Sequence, residues 1–269
     1  MAVTIHPTAQ VSPKAEFGEN VTIGHCAVIE DNVYIGDNSR VEAFASVKAY
    51  TKMGKNNVIH SYAMVGGIPQ DLKFHGEESW LELGDNNNVR EFATLHRGTE
   101  GGGGVTRIGN TNLFMAYTHI AHDCIIGNNV IMSNNATLAG HVVVEDGAII
   151  GGLSAVHQFS RIGKNAFVGG MSGIGMDVPP YMLASGYRAD LHGPNLVGLR
   201  RIKADRETLA AIKSIYRIIW ISGTPRKEAL EQVEYEFATI PQAQEIVAFI
   251  RASERGVLGA SSASKNQVE

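Results

Sequence analysis

Cysteine is nearly absent from this chain, with only Cys26 and Cys124 in 269 residues. Two thiols are too few to staple a secreted scaffold. The opening segment "MAVTIHPTAQ" has neither the basic start nor the apolar core of an export signal, so a reduced, cytoplasmic setting is expected. Long apolar runs are missing too: no stretch approaches the roughly 18 residues of a membrane span, so any link to a membrane must run through a substrate or partner. A net charge of only −4 gives no general electrostatic reason to expect nucleic acid or an anionic bilayer as partner. Large side chains are scarce. Two tryptophans and nine phenylalanines stand against 30 glycines, so the core must be built from small and aliphatic groups and the backbone must turn often.

What is abundant is regularity. An apolar residue recurs at every sixth position from Ile5, Val11 and Phe17 through to Val65, resumes at Leu83, Val89 and Leu95, and then runs from Ile108 to Ile174. The fifth place of each six is mostly small or β-branched, as at Ala27, Val33, Ala45 and Ala136. Neither a 3.6-residue helix nor an alternating strand has this period, whereas hexapeptide units of short strands and turns do. Three such units close one coil of a prism, so residues 18 apart stack at roughly 4.8 Å and the first residues of each six form a continuous inner core. Corner segments such as "GDNS", "GKNN" and "GNNV" suit backbone near the left-handed region.

Two insertions interrupt the period, "GGIPQDLKFHGEESWLE" at 66–82 and "GGGGVTR" at 101–107, and both are expected to protrude as loops. The first gathers Asp71, Lys73 and His75 and is the better candidate for touching a ligand. The β-helix is assigned to 1–190, a helical domain to 191–258, and the small, polar tail at 259–269 reads as disordered. In the helical part, Leu209, Ile212, Ile215, Tyr216 and Ile219 make an apolar stripe behind the N-cap candidate Asp205, and further helices are expected over 226–238 and 242–254.

With "GGGGVTR" extruded, the units starting at Leu95, Ile120, Leu138 and Val156 fall on one side of successive coils, and they carry His96, His122, His141 and His157. Such a column suits two chemistries. Neutral imidazoles bind metals, as in the γ-class carbonic anhydrases built on a related β-helix. Alternatively, a histidine backed by a carboxylate takes up a proton at neutral pH, and Asp123 directly follows His122. A third reading is a rigid scaffold without catalysis.

The blocks "QDLKF" (70–74), "LHRGT" (95–99), "HIAHDC" (119–124), "NNATLAGHV" (134–142), "VHQF" (156–159) and "DVPPY" (177–181), in this order, resemble the UDP-N-acetylglucosamine acyltransferase family of hexapeptide-repeat transferases over nearly the full length. The resemblance implies a mainly β fold, a left-handed parallel β-helix of hexapeptide repeats followed by a C-terminal α-helical domain, assembled as a homotrimer with active sites between adjacent prisms. It implies transfer of a 3-hydroxyacyl chain from acyl carrier protein to the glucosamine 3-hydroxyl of UDP-N-acetylglucosamine, the first step of lipid A biosynthesis, with no metal or other cofactor. It assigns His122 as general base, Asp123 as its orienting partner and the Gly140 N–H as oxyanion donor. Asp71, Lys73, His96, His119, His141, His157, Gln158, Asn195 and Arg201 would surround the substrates, and Gly170 with Met171 would set acyl length. One departure stands out: "NLVGLRRI" has Val197 and Ile202 where the family commonly carries a glutamate and a second basic residue, which leaves a 3-amino UDP-sugar open as acceptor. Arg200, Arg201, Lys203, Arg206, Lys213 and Arg217 offer a basic landing site for the acidic carrier protein.

Overall fold

The computed structural model describes residues 3–262. Strands of mostly two residues recur from Thr4–Ile5 to Gly173–Ile174. Each pairs in parallel with the strand one coil on, as Thr4 does with Thr22, Gln10 with Val28 and Glu16 with Tyr34. The result is a three-faced prism whose first face has eleven strands, its second nine and its third eight. The first residues of the hexapeptides point inward, and Ile23, Val41, Ile59, Leu95, Ile120 and Leu138 are all buried. Each such side chain contributes about 1.5–3 kcal/mol of apolar burial.

The three corners differ in chemistry. Between the third and first faces, Asn20, Asn38, Asn56, Asn86, Asn129 and Asn165 occupy the left-handed region, as short amides readily do. Between the first and second faces, Phe44, Tyr62, Phe92, Tyr117, Leu153 and Met171 adopt the same conformation, which bulky side chains resist. Four of them compensate by stacking: Phe44, Tyr62, Phe92 and Tyr117 lie nearly parallel with ring centroids 5.1, 5.1 and 4.9 Å apart.

Both insertions leave the prism at the remaining corner, between the second and third faces. Val65 pairs with Leu95, thirty residues on, and Leu95 with Ile120, twenty-five on, in place of eighteen for an uninterrupted coil. The first loop is therefore shorter than the expected 66–82. Gly66 and Gly67 still belong to strand Met64–Gly67, and strand Trp80–Leu83 pairs with Thr51–Met53, so only residues 68–79 project. In the second, Val105–Ile108 is already a strand against Trp80–Leu83, and the extruded turn is a 3-10 helix at Glu100–Gly102. Strand pairing recovers these segments because every buried N–H and C=O needs a partner.

A hairpin of Met182–Ser185 and Asp190–Pro194 closes the first face and crosses the boundary drawn at 190. Helices follow: α1 (Leu196–Arg201), α2 (Arg206–Tyr216), α3 (Arg226–Glu236) and α4 (Pro241–Arg251). The Asp205 carboxylate caps α2 by accepting the Thr208 N–H at 2.7 Å, and Ile212, Ile215, Tyr216 and Ile219 are buried along its stripe. Lys164 of the prism pairs with Glu245 of α4 at 2.6 Å, and Arg161 packs on the Phe249 ring at 4.0 Å, which docks the helices onto the last coils. The tail departs from expectation at its start. The Leu191 N–H donates to the Gly259 carbonyl at 2.8 Å and the Ser261 N–H to the Leu191 carbonyl at 2.9 Å, because the hairpin edge leaves groups to be paired. Residues 263–269 of that tail lie outside the described residues.

Candidate active site

The insertion corner carries Asp123, His141 and Phe159 on successive coils, all with left-handed backbone. Asp123 would face water on a bare corner, yet its side chain is fully buried. The second insertion covers it. The Thr99 N–H donates to Oδ1 at 2.8 Å and the Thr99 hydroxyl to Oδ2 at 2.7 Å, while Gly102 lies so close that a Cβ there would collide with the carboxylate. The Asp123 N–H in turn donates to Thr106 Oγ1 at 2.8 Å. Burial by itself raises the carboxyl, but the hydrogen bonds from His122 and Thr99 outweigh it and hold Asp123 below the usual carboxylate range. The group is therefore an anion at neutral pH.

That anion fixes its neighbour. His122 Nδ1 lies 2.7 Å from Asp123 Oδ2. A buried carboxylate can only accept, so Nδ1 carries the hydrogen and the lone pair sits on Nε2. Gly140, one coil on, lies against the other side of the imidazole: a Cβ at 140 would stand 2.6 Å from Cε1 and 2.7 Å from Nε2. No acceptor among the described residues takes the Gly140 N–H. A lone pair and a free backbone donor thus share one small volume.

The expected histidine column resolves into two pairs. His96 meets His119 edge-on at 4.9 Å between ring centroids, and His122 meets His141 at 5.2 Å. The cause is position within the repeat. Relative to the inward residue, His96 is first outward, His122 second and His141 at the corner, while His119 precedes its inward Ile120. Burial, and then the neighbours His119 and His122, pushes His96 down to about 4. His119 is lowered by burial and by His122, and its Nδ1 engages the Thr94 hydroxyl at 2.8 Å. His141 is lowered by burial despite Asp123, whose Oδ2 is 3.7 Å from its Nε2.

Across this corner the first loop encloses a cavity of about 680 Å³ lined by Asp71, Lys73, His75, Thr99, His141 and Phe159. His157 and Gln158 are exposed further along the second face, where His157 borders a separate cavity with Tyr187 and Arg188. Asn195 and Arg201 are elsewhere, around a cavity on the first face with Ile149 and Phe167. Asn195 is an N-cap more than a free contact: its amide accepts from the Gly198 N–H at 3.0 Å, donates to the Asn165 carbonyl at 3.0 Å, and is 5% exposed. Gly170 and Met171 sit at the corner between these two faces, with Met171 exposed.

His122, Asp123 and His141 also bring one donor atom each within 4.8 Å of one another, the single such group among the described residues. Their fit to a cation is poor, since the Asp123 oxygens already receive both Thr99 donors and the His122 N–H. Among the described residues no helix is long and apolar enough to cross a membrane.

An imidazole seated on a buried carboxylate, on a prism of hexapeptide coils, defines a transferase of the hexapeptide class, and residues 14–49 and 106–140 match the bacterial transferase hexapeptide family. Residues 177–258 match the second domain of UDP-N-acetylglucosamine O-acyltransferase. The acyl-[acyl-carrier-protein]–UDP-N-acetylglucosamine O-acyltransferase of Aliarcobacter butzleri is 45% identical over 94% of this chain and 97% of its own length, and that of Thermodesulfovibrio yellowstonii 48% over 94% and 98%. Among solved structures, the Francisella novicida UDP-N-acetylglucosamine acyltransferase superposes with a TM-score of 0.94 at 37% identity, covering 97% of this chain and 96% of that one. The chain belongs to the acyl-[acyl-carrier-protein]–UDP-N-acetylglucosamine O-acyltransferase family and is an acyltransferase.

Proposed function

We propose that this enzyme transfers a 3-hydroxyacyl chain from acyl carrier protein to the 3-hydroxyl of UDP-N-acetylglucosamine, the opening step of lipid A biosynthesis, in the cytoplasm. The observation that carries the mechanism is the His122–Asp123 pair beside the free Gly140 N–H. A sugar hydroxyl is a weak nucleophile until its proton has an acceptor, and His122 Nε2 takes that proton as the oxygen attacks the thioester carbonyl. Asp123 stabilises the resulting imidazolium. The Gly140 N–H meets the oxyanion, and collapse of the adduct expels the carrier thiolate, which recovers the proton from His122. A positioned base contributes roughly 10² to 10⁴ in rate and a backbone oxyanion donor about 10² to 10³. Cys124 takes no part: burial pushes its thiol up to about 12.

Asp71, Lys73 and His141 border the cavity beside His122 and would hold the sugar and diphosphate, with His96 and His119 neutral behind them. His157 and Gln158 extend the same face toward the acyl chain, and Gly170 leaves room that Met171 limits. Arg201 on α1, a helix seated by Asn195, would contact the nucleotide. That contact lies on the first face and His122 on the second, so a ligand lying along one face of a single chain cannot reach both. The site is complete between copies, and the exposed ring column runs down the corner shared by these two faces. Both features support a homotrimer. The exposed cluster Arg200, Arg201, Lys203, Arg206, Lys213 and Arg217 would receive the acidic carrier protein.

The test is acyl transfer from a panel of 3-hydroxyacyl carrier proteins to UDP-N-acetylglucosamine and to its 3-amino analogue, the acceptor that exposed Val197 and Ile202 beside Arg201 would favour. His122→Ala should reduce kcat by about 10² to 10⁴ with the correct pair. Full activity in that variant removes the proposed base, and preference for the amino sugar replaces the acceptor.

A further inference from the structure

Arg97 is a charged side chain that this mechanism leaves without a task. It follows His96 at the insertion corner and is 7% exposed, and burial lowers its affinity for the proton. Taking a guanidinium out of water is expensive unless a carboxylate pairs with it. Glu30 lines, with Arg97 and Tyr50, a cavity separate from the one at His141, but its carboxylate is taken by Lys48 Nζ at 2.7 Å and the Ala49 N–H at 3.0 Å. Arg97 Nε has no partner, and one terminal nitrogen donates to the Ala49 carbonyl at 3.4 Å. Glu30 and Glu77 attract it electrostatically without a hydrogen bond, and two rings flank it, with the guanidinium carbon 5.1 Å from the centroid of Tyr50 and 5.4 Å from that of Phe74.

The two rings belong to different parts of the molecule. Tyr50 is a corner residue of the prism, braced edge-on by Trp80 at 5.4 Å. Phe74 is in the projecting loop, next to Lys73 and hydrogen-bonded through its N–H to the Asp71 carbonyl at 3.0 Å. The Arg97 N–H also donates to the Gly67 carbonyl at 3.0 Å, at the root of that loop. A cation between a fixed ring and a loop ring is a clamp, attractive over the π faces and strengthened where water is excluded.

We propose that Arg97 is a positioning residue: by holding Phe74 against the prism it fixes the 68–79 loop so that Asp71 and Lys73 face His141 across the cavity. The inference rests on the reading that Asp71 and Lys73 contact the acceptor. Arg97 touches no reacting atom, so its loss should appear in acceptor binding and not in the chemical step.

The experiment is a double-mutant cycle of Arg97→Met and Phe74→Leu in the full-length enzyme, with Arg97→Lys as the conservative variant. Each single change should raise KM for UDP-N-acetylglucosamine about tenfold with kcat within about twofold. The double variant should be no worse than the poorer single, and Arg97→Lys, which keeps a cation for the rings, should recover most of the loss. Trypsin cleavage after Lys73 gives a second readout free of activity, and it should quicken about tenfold in Arg97→Met and in Phe74→Leu alike. Effects on KM that multiply, an equal fall in kcat, or unchanged cleavage at Lys73 would each overturn the clamp. Failure of the functional reading looks different: the wild-type enzyme itself would then leave UDP-N-acetylglucosamine unacylated, while the cleavage assay would still decide the role of Arg97.

Discussion

Gly140 is the position where one added methyl group interrogates the mechanism most directly. Its backbone angle lies outside the left-handed region, so alanine is conformationally acceptable there. The backbone N–H proposed as oxyanion donor is also retained. What changes is space: the new Cβ would stand 2.6 Å from His122 Cε1 and 2.7 Å from Nε2, roughly 0.8 Å inside ordinary contact. The imidazole must yield, because Gly140 is held in the coil by the pairing of its neighbours, Ala139 N–H to the Val156 carbonyl at 3.0 Å and His141 N–H to the His122 carbonyl at 3.0 Å. A displacement of the base by nearly 1 Å costs on the order of 10² in rate. Stability should hardly move, since the loss of backbone freedom in the unfolded chain favours alanine by about 0.4–1 kcal/mol and offsets the crowding. We therefore expect Gly140→Ala to lower kcat about 100-fold with KM for both substrates nearly unchanged and a melting temperature within a few degrees of wild type. Steady-state kinetics with thermal denaturation on the same preparation measures all three. Wild-type kcat in a folded Gly140→Ala enzyme would refute the reasoning, because no productive base could sit where that methyl group is.

Thr99→Val removes the hydroxyl donor to Asp123 without changing shape. The folded carboxyl lies below its unfolded value, so its contribution to stability is complete above the unfolded value and disappears as pH falls through the folded one. The variant should lose about 1–2 kcal/mol at pH 7 and nothing in acid where Asp123 is protonated, and a gap in melting temperature that widens on acidification contradicts this. His96, held down to about 4, acts in the same direction over a higher window: the unfolded chain binds its proton first, so stability falls as pH drops between about 6.5 and 4, by about 2 kcal/mol at pH 5. His96→Gln should remove that part of the acid sensitivity, and denaturation curves of equal pH dependence for the two proteins would count against it. Phe92→Glu places a carboxylate in the ring column between Tyr62 and Tyr117. Sedimentation velocity should show the proposed trimer dissociating with loss of activity, whereas an intact active trimer would place the interface elsewhere.

The six-residue period was enough to read the prism, because the inward position of each hexapeptide tolerates only apolar groups and so marks itself. Loop length was less legible. Trp80, Leu81 and Glu82 look like insertion when only the first residues of each six are followed, yet Leu81 is buried and the segment pairs on both sides. Thr99, Gly102 and Thr106 escaped notice because their task is contact with a residue 17 to 24 positions away, and nothing local distinguishes them. A usable signal was present, since "LHRGT" and the glycine run adjoin. The ring column was equally readable: Phe44, Tyr62, Phe92 and Tyr117 each stand three residues after an inward position. Neighbouring His119 and His122 share a short motif but not an environment, because the strand places one beside Thr94 and His96 and the other on Asp123.

The two parts of the site have separate physical origins, and neither suffices without the other. The prism repeats at a fixed spacing, which brings His122 under Gly140 at a distance no methyl group would allow. A bare corner, however, leaves an aspartate in water, free to rotate and screened from its neighbour. The Thr99–Gly104 turn removes that freedom by giving each carboxylate oxygen a donor from Thr99, and its closeness at Gly102 excludes water from the ion. Desolvation raises the energy of the anion, and directed hydrogen bonds return it, so what remains is an acceptor with one orientation. On the proposed mechanism the insertion is part of the proton-transfer apparatus, and shortening it should cost activity even where every histidine is left in place.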